Sequence, residues 1–233
     1  MLVLALETST DPCGMALVDE GGVVSSVRFR HHMNLSSTWA PLLQRMLAEA
    51  GRTPAHIAGV ATSLGPGSFT GLRIGVVAAK TLAQTLQIKL LGIGSLELLA
   101  LPFRAVAGLS VLCVLPCRRG EAYVGAYRCT GNALRGLVGG AVMPLESLAG
   151  LMASLPEPMV VAGAASHRPE DADAPRAADQ WHHAPSAEVL GMEARRRMLA
   201  GESVEPAALL PIYLKRSQAE ERLGTLGRPK AER

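Results

Sequence analysis

Apolar runs and turn residues alternate from the first position. LVLALET (2–8), CGMALVD (13–19) and VVSSVRF (23–29) predict three strands, the last two joined across Glu20-Gly21-Gly22 in a hairpin. The spacing then lengthens to three and four. Trp39, Leu42, Leu43, Met46 and Leu47 predict a helix over 36–50, with Asn34 and Ser36 as candidate caps and Gly51 as its stop. IAGVATSL (57–64) predicts a buried strand, 69–87 a long helix, and KLLGIG a further strand, with a third helix starting at Ser95 and ending near Pro102.

Beyond residue 104 the pattern becomes strand-rich. Residues 109–115, 121–128 and 134–143 predict antiparallel strands, followed by a helix over 144–155 and a short strand at 159–163. Residues 164–185, rich in Ala, Pro and Asp, predict a surface excursion. A last helix runs from about 186 to 200, its Arg195-Arg196-Arg197 run expected to form a solvated face. Three strands followed by alternating helix and strand describe an α/β fold, a five-stranded mixed sheet with helices on its faces. That is a ribonuclease H-like half. With a reduced second half it makes the two-lobed plan of the actin, sugar-kinase and Hsp70 group. The expected units are 1–103, 104–217 with a last helix that can return to the first, and a loose tail at 218–233.

Composition narrows the chemistry. At 48% apolar and 18% charged the 233-residue chain can bury a substantial core, and no apolar run approaches the roughly 20 residues of a membrane span. With no secretory leader pattern at the N-terminus, a cytoplasmic protein is expected. Cysteines at 13, 113, 117 and 129 lack zinc spacing, and the adjacent pairs His31-His32 and His182-His183 cannot share a helical face, so no metal is expected. A net charge of +3 and few aromatic residues argue against an independent nucleic-acid grip.

The loop GPGSFTGLRIG (65–75) carries the most information. It is not a serine-hydrolase elbow, because Pro66 and Thr70 stand where glycines are needed. Nor is GVVAAKT (75–81) a Walker loop, because Ala79 replaces the second glycine. Amides at the helix start could still hold an anion, and Glu7, Thr8 and Ser9 have the types that meet phosphate in this fold, so Glu7, Thr8, Ser9, Gly67 and Ser68 form a candidate phosphate site. The bland alternative is glycine serving a tight turn. Gly71, Gly75, Ala79 and Ala83 recur every fourth residue and make a flat ridge. It fits either the chain's own sheet or another protein's helix. On the second reading Trp39, Leu43, Gly71, Leu72, Gly75, Val76, Ala79 and Ala83 form a partner interface, and Gly75→Leu breaks docking in a folded monomer.

GPGSFTGLRIG, the Glu-Thr-Ser end of the first strand, RRGEAY (118–123) and PIYLKR (211–216) together resemble the bacterial TsaB family, formerly YeaZ, over residues 2–217. The resemblance implies a two-lobed actin-like (ASKHA) fold and a noncatalytic scaffold or activator. It would pair with the metal-containing TsaD and the ATPase TsaE to place threonylcarbamoyl on N6 of adenosine 37 of tRNA. The helices at 36–50 and 69–87 would meet TsaD or a second copy, and tRNA would be reached only through the complex. No cofactor is implied as required by this chain, and the complex could take ATP. The alternative is a stand-alone actin-fold ATP-binding enzyme or a homologue of the M22 glycoproteases. Pro116-Cys117-Arg118 stands where the family carries Asp-Ala-Arg.

Overall fold

The computed structural model describes residues 1–30, 34–118, 120–163 and 183–215. The His31-His32 and His182 positions, Arg119, most of the 164–185 excursion and the tail beyond Lys215 lie outside the described residues.

Strand β1 (Leu2–Glu7) is buried along its whole length, which explains its unbroken apolar run. It pairs antiparallel with β2 (Cys13–Asp19), which pairs antiparallel with β3 (Gly22–Phe29). On its other side β1 runs parallel to β4 (Ile57–Ser63), and β4 parallel to β5 (Lys89–Ile93), giving the order β3-β2-β1-β4-β5. Helices α1 (Leu35–Glu49) and α2 (Phe69–Leu86) cover one face. Leu43, Met46, Leu47, Val76, Ala79 and Ala83 pack there on Leu4, Leu6, Met15, Leu17 and Val60.

The second sheet has the order β8-β7-β6-β9 and repeats the pairing logic of the first: an antiparallel meander of β6 (Ser110–Pro116), β7 (Glu121–Cys129) and β8 (Leu134–Pro144), with β9 (Met159–Gly163) parallel to β6. A fifth strand is missing from this sheet among the described residues. Helix α3 (Ser95–Ala100) lies against one face and α4 (Leu148–Ser154) against the other. Both are shorter than the spacing predicts, because one turn of each is 3-10: Leu101–Phe103 after α3 and Leu145–Ser147 before α4. The chain therefore has the two-lobed actin-like architecture, with the reduced lobe second.

Helix α5 (Ala187–Leu199) leaves the second sheet's neighbourhood and covers the open face of the first, where Ala187, Leu190, Ala194 and Met198 meet Val3, Ala5, Ala16 and Val18. Its arginines are not a merely solvated face. Arg196 and Arg197 donate to the buried Glu193 at 2.7 Å each, Arg104 reaches the same carboxylate, and Arg197 also pairs with Glu97 of α3. Arg195 donates to the Met1 carbonyl at 3.2 Å. The run ties the last helix to the corner where the lobes join. Helical spacing alone could not reveal this, because the acidic partner Glu97 is a hundred residues away.

Candidate functional site

The first turns of α2 lie directly on the corner between β1 and β2. Ser68 caps the helix, its Oγ accepting from Gly71 N–H at 3.2 Å, while its own N–H donates to the Ser9 carbonyl at 2.7 Å. A Cβ on Gly67 would stand 2.2 Å from the Ser9 carbonyl oxygen, one on Gly71 2.1 Å from the Thr8 carbonyl oxygen, and one on Gly75 2.1 Å from Thr8 Oγ1. These glycines let a helix backbone rest on the backbone of a turn. Gly65 plays the other glycine role, with φ of +104°.

Two expectations are corrected by this joint. The phosphate candidates Glu7, Thr8, Ser9, Gly67 and Ser68 are brought together, but onto one another: the amide that would greet an anion is bonded to Ser9, and Gly67 lies against the same carbonyl. The small-residue ridge meets the chain's own first sheet, not a partner. Gly71 and Gly75 abut Thr8; Leu43, Val76, Ala79 and Ala83 belong to the first core; and Leu72 is buried beside Gly65. Of the eight expected interface residues, Trp39 alone reaches the surface, half-buried.

Glu7 sits at the centre of the joint, 1% exposed. Its Oε1 accepts from Ser9 N–H at 2.7 Å and from Ser9 Oγ at 2.5 Å, while Oε2, like Thr8 Oγ1, is buried without a partner. Burial pushes the carboxyl's pKa above its ordinary 4.5, against the opposing pull of the Ser9 bonds. The folded chain thus holds this proton to higher pH than the unfolded chain, and Glu7 costs stability as pH rises above 4.5. We expect Glu7→Gln to raise the melting temperature at pH 7 and to lose that advantage by pH 4. Thermal melts giving the same difference at both pH values would contradict this account.

The face of α2 turned away from the sheet is also apolar. Val77 is 62% exposed, and with Trp39, Ile74, Ala78 and the stem of Arg73 it lines a groove of about 370 Å³ between α1 and α2. Solvent-facing Val77 at the middle of the helix, beside half-buried Trp39, makes an uncovered apolar strip. The signal was present in the sequence as the i, i+3 pair Ile74 and Val77.

At the N-terminal end of this groove, three separated motifs converge. The start of α2 contributes Pro66, Gly67 and Phe69; the β6–β7 corner contributes Cys117, Arg118 and Tyr123; and residues 212–215 complete a cleft of about 200 Å³ between the lobes. Phe69 and Tyr213 stack with centroids 5.0 Å apart, and the Arg73 guanidinium lies 4.0 Å over the Phe69 ring. Burial first, and then the neighbouring Cys117, pushes the Tyr123 phenol up to about 12. No three His, Cys, Asp or Glu side chains gather at metal-binding distance among the described residues.

The family described as TsaD, tRNA N6-adenosine threonylcarbamoyltransferase, matches residues 15–182. The tRNA threonylcarbamoyladenosine biosynthesis protein TsaB of Bacillus subtilis is 35% identical over 138 residues, 59% of this chain and 60% of the relative; its Escherichia coli namesake is 31% identical over 137 residues. The chain belongs to this family, in its TsaB (YeaZ) branch. It spans about three-fifths of the length of these curated TsaB relatives, 60% and 58%. The solved structure of YeaZ from Pseudomonas aeruginosa is similar at a TM-score of 0.74 and 29% identity, covering 91% of this chain and 99% of that one. The likeness to this TsaB-branch structure therefore runs through both lobes. Among the described residues no helix is long and apolar enough to cross a membrane.

Proposed function

We propose that the chain serves tRNA threonylcarbamoyladenosine biosynthesis in the cytoplasm as a noncatalytic scaffold and activator, docking a TsaD-type transferase through the groove between α1 and α2. TsaE and ATP enter at the level of the complex, tRNA is reached through it, and in isolation a second copy of the chain covers the same groove. The observation that carries the reading is the uncovered apolar face of Val77, Ile74 and Trp39 on a member of the TsaB branch. The joint at Ser9 and Gly67 supports the noncatalytic part, since the chain's own backbone fills the phosphate end of the fold.

The test is titration calorimetry with the TsaD of the same organism. Val77→Asp puts a carboxylate into the middle of the groove, where an unpaired charge must be desolvated on docking. We expect binding to weaken by about 2 kcal/mol, roughly thirtyfold, the scale of an interface hot spot. Because Val77 is 62% exposed, the melting temperature should not move. An unchanged dissociation constant in the folded variant would overturn the reading.

A further inference from the structure

After α5 the chain runs back across the molecule. Leu209 is buried in the first core, and its carbonyl accepts from Lys80 Nζ at 3.2 Å. Ile212 N–H donates to the Leu64 carbonyl at 2.7 Å, and the Ile212 carbonyl oxygen lies so near Gly65 that a Cβ there would be 2.8 Å away. Tyr213 stacks on Phe69 and accepts from Arg73 Nε at 3.4 Å. All of these anchors belong to the first lobe.

The next two residues grip the second lobe. Leu214 lies against Gly140 of β8, where an added Cβ would be 3.2 Å from Leu214 Cδ1, and Lys215 pairs with Glu121 at the start of β7. The segment thus spans the mouth of the cleft walled by Gly67 and Phe69 on one side and Cys117 and Tyr123 on the other.

We propose that residues 209–215 are a strap that shuts the cleft between the lobes and hinges open at its Leu214–Lys215 end. The asymmetry of the anchors sets the hinge. The first-lobe end is held by the Ile212–Leu64 backbone hydrogen bond, by Leu209 in the core and by the Tyr213–Phe69 ring contact, which salt hardly touches. Among the described residues the second-lobe end is held by the Leu214–Gly140 contact and the Lys215–Glu121 ion pair, whose side chains are 24% and 33% exposed, an interaction that contributes little and is screened by salt. When the strap lifts, the walls of the cleft, Cys117 among them, become open to solutes.

Cys117 provides the readout, because Cys13, Cys113 and Cys129 are buried and Cys117 lines the cleft. The experiment is alkylation of the full chain by iodoacetamide, located by peptide mass spectrometry. In the unsubstituted protein we expect the Cys117 rate to rise at least about threefold between 50 mM and 1 M sodium chloride, as Debye screening removes the Lys215–Glu121 attraction. Lys215→Ala should react fast at both salt concentrations, and Leu214→Ser faster than the parent at both. The Ile212 amide should keep its hydrogen-exchange protection in either variant. A Cys117 rate that ignores salt in the unsubstituted chain overturns the strap, whether or not the variants fold. Loss of Ile212 protection together with Cys117 opening would show release of the whole segment and overturn the hinge.

Discussion

A Gly71→Ala chain is expected to melt well below its parent, although helix propensity alone argues the other way. Alanine in a helix interior is favoured over glycine by about 0.5–1 kcal/mol. Here the added methyl would stand 2.1 Å from the Thr8 carbonyl oxygen, a backbone atom inside a buried corner that has no rotamer by which to retreat. Overpacking against an immobile group costs roughly 1–3 kcal/mol and occasionally more, and we expect the upper end. For a chain of this size each kcal/mol corresponds to about 2–4 °C, so the expected fall is about 6–12 °C. Gly75→Leu should behave likewise, because its Cβ meets Thr8 Oγ1 at 2.1 Å and Thr62 Oγ1 at 3.1 Å. It therefore tests the fold and not the docking surface. Calorimetric melts check both, and a Gly71→Ala chain as stable as its parent would show that the corner between β1 and β2 yields.

Much of this architecture was legible because burial and period agree. β1 is buried along its whole length and β4 along nearly all of its length, and both open on apolar runs; α1 and α2 present apolar residues at helical spacing; and the glycine turn before β3 marks its hairpin. The candidate site was legible in its residues but not in their direction. Gly71 to Ala83 form a smooth row whether the surface they meet is foreign or the chain's own, and no periodicity separates these cases. The structure decides it through Thr8, sixty-odd positions upstream, whose carbonyl occupies the space a side chain would need. Long-range partners were invisible for the same reason. PIYLKR and RRGEAY mark the family as motifs, yet only the fold shows Tyr213 on Phe69 and Lys215 on Glu121 closing one cleft.

The second large effect concerns the arginine cluster on α5. Burial by itself would raise the pKa of Glu193, but hydrogen bonds from Arg196, Arg197 and Arg104 outweigh it and hold the carboxyl at about 2, below its ordinary 4.5. A depressed folded-state value means that the unfolded chain binds the proton first as pH falls. Glu193 therefore contributes its full stability above about 4.5 and loses it as pH drops from there towards 2. The contribution is on the order of 3 kcal/mol from the size of the shift. Glu193→Gln keeps the shape and removes the charge, leaving Arg104, Arg196 and Arg197 facing one another. We expect it to lose about 3 kcal/mol at pH 7 by urea unfolding, and the gap to the parent to close steadily below pH 4.5. The effect should not spread to docking. Glu193 lies on the helix that covers the first sheet's other face, so on the proposed docking a folded Glu193→Gln chain should bind a TsaD-type transferase as the parent does. A gap that stays constant from pH 7 to pH 3 would mean that the arginines are held by packing and helix geometry, with the carboxylate a bystander.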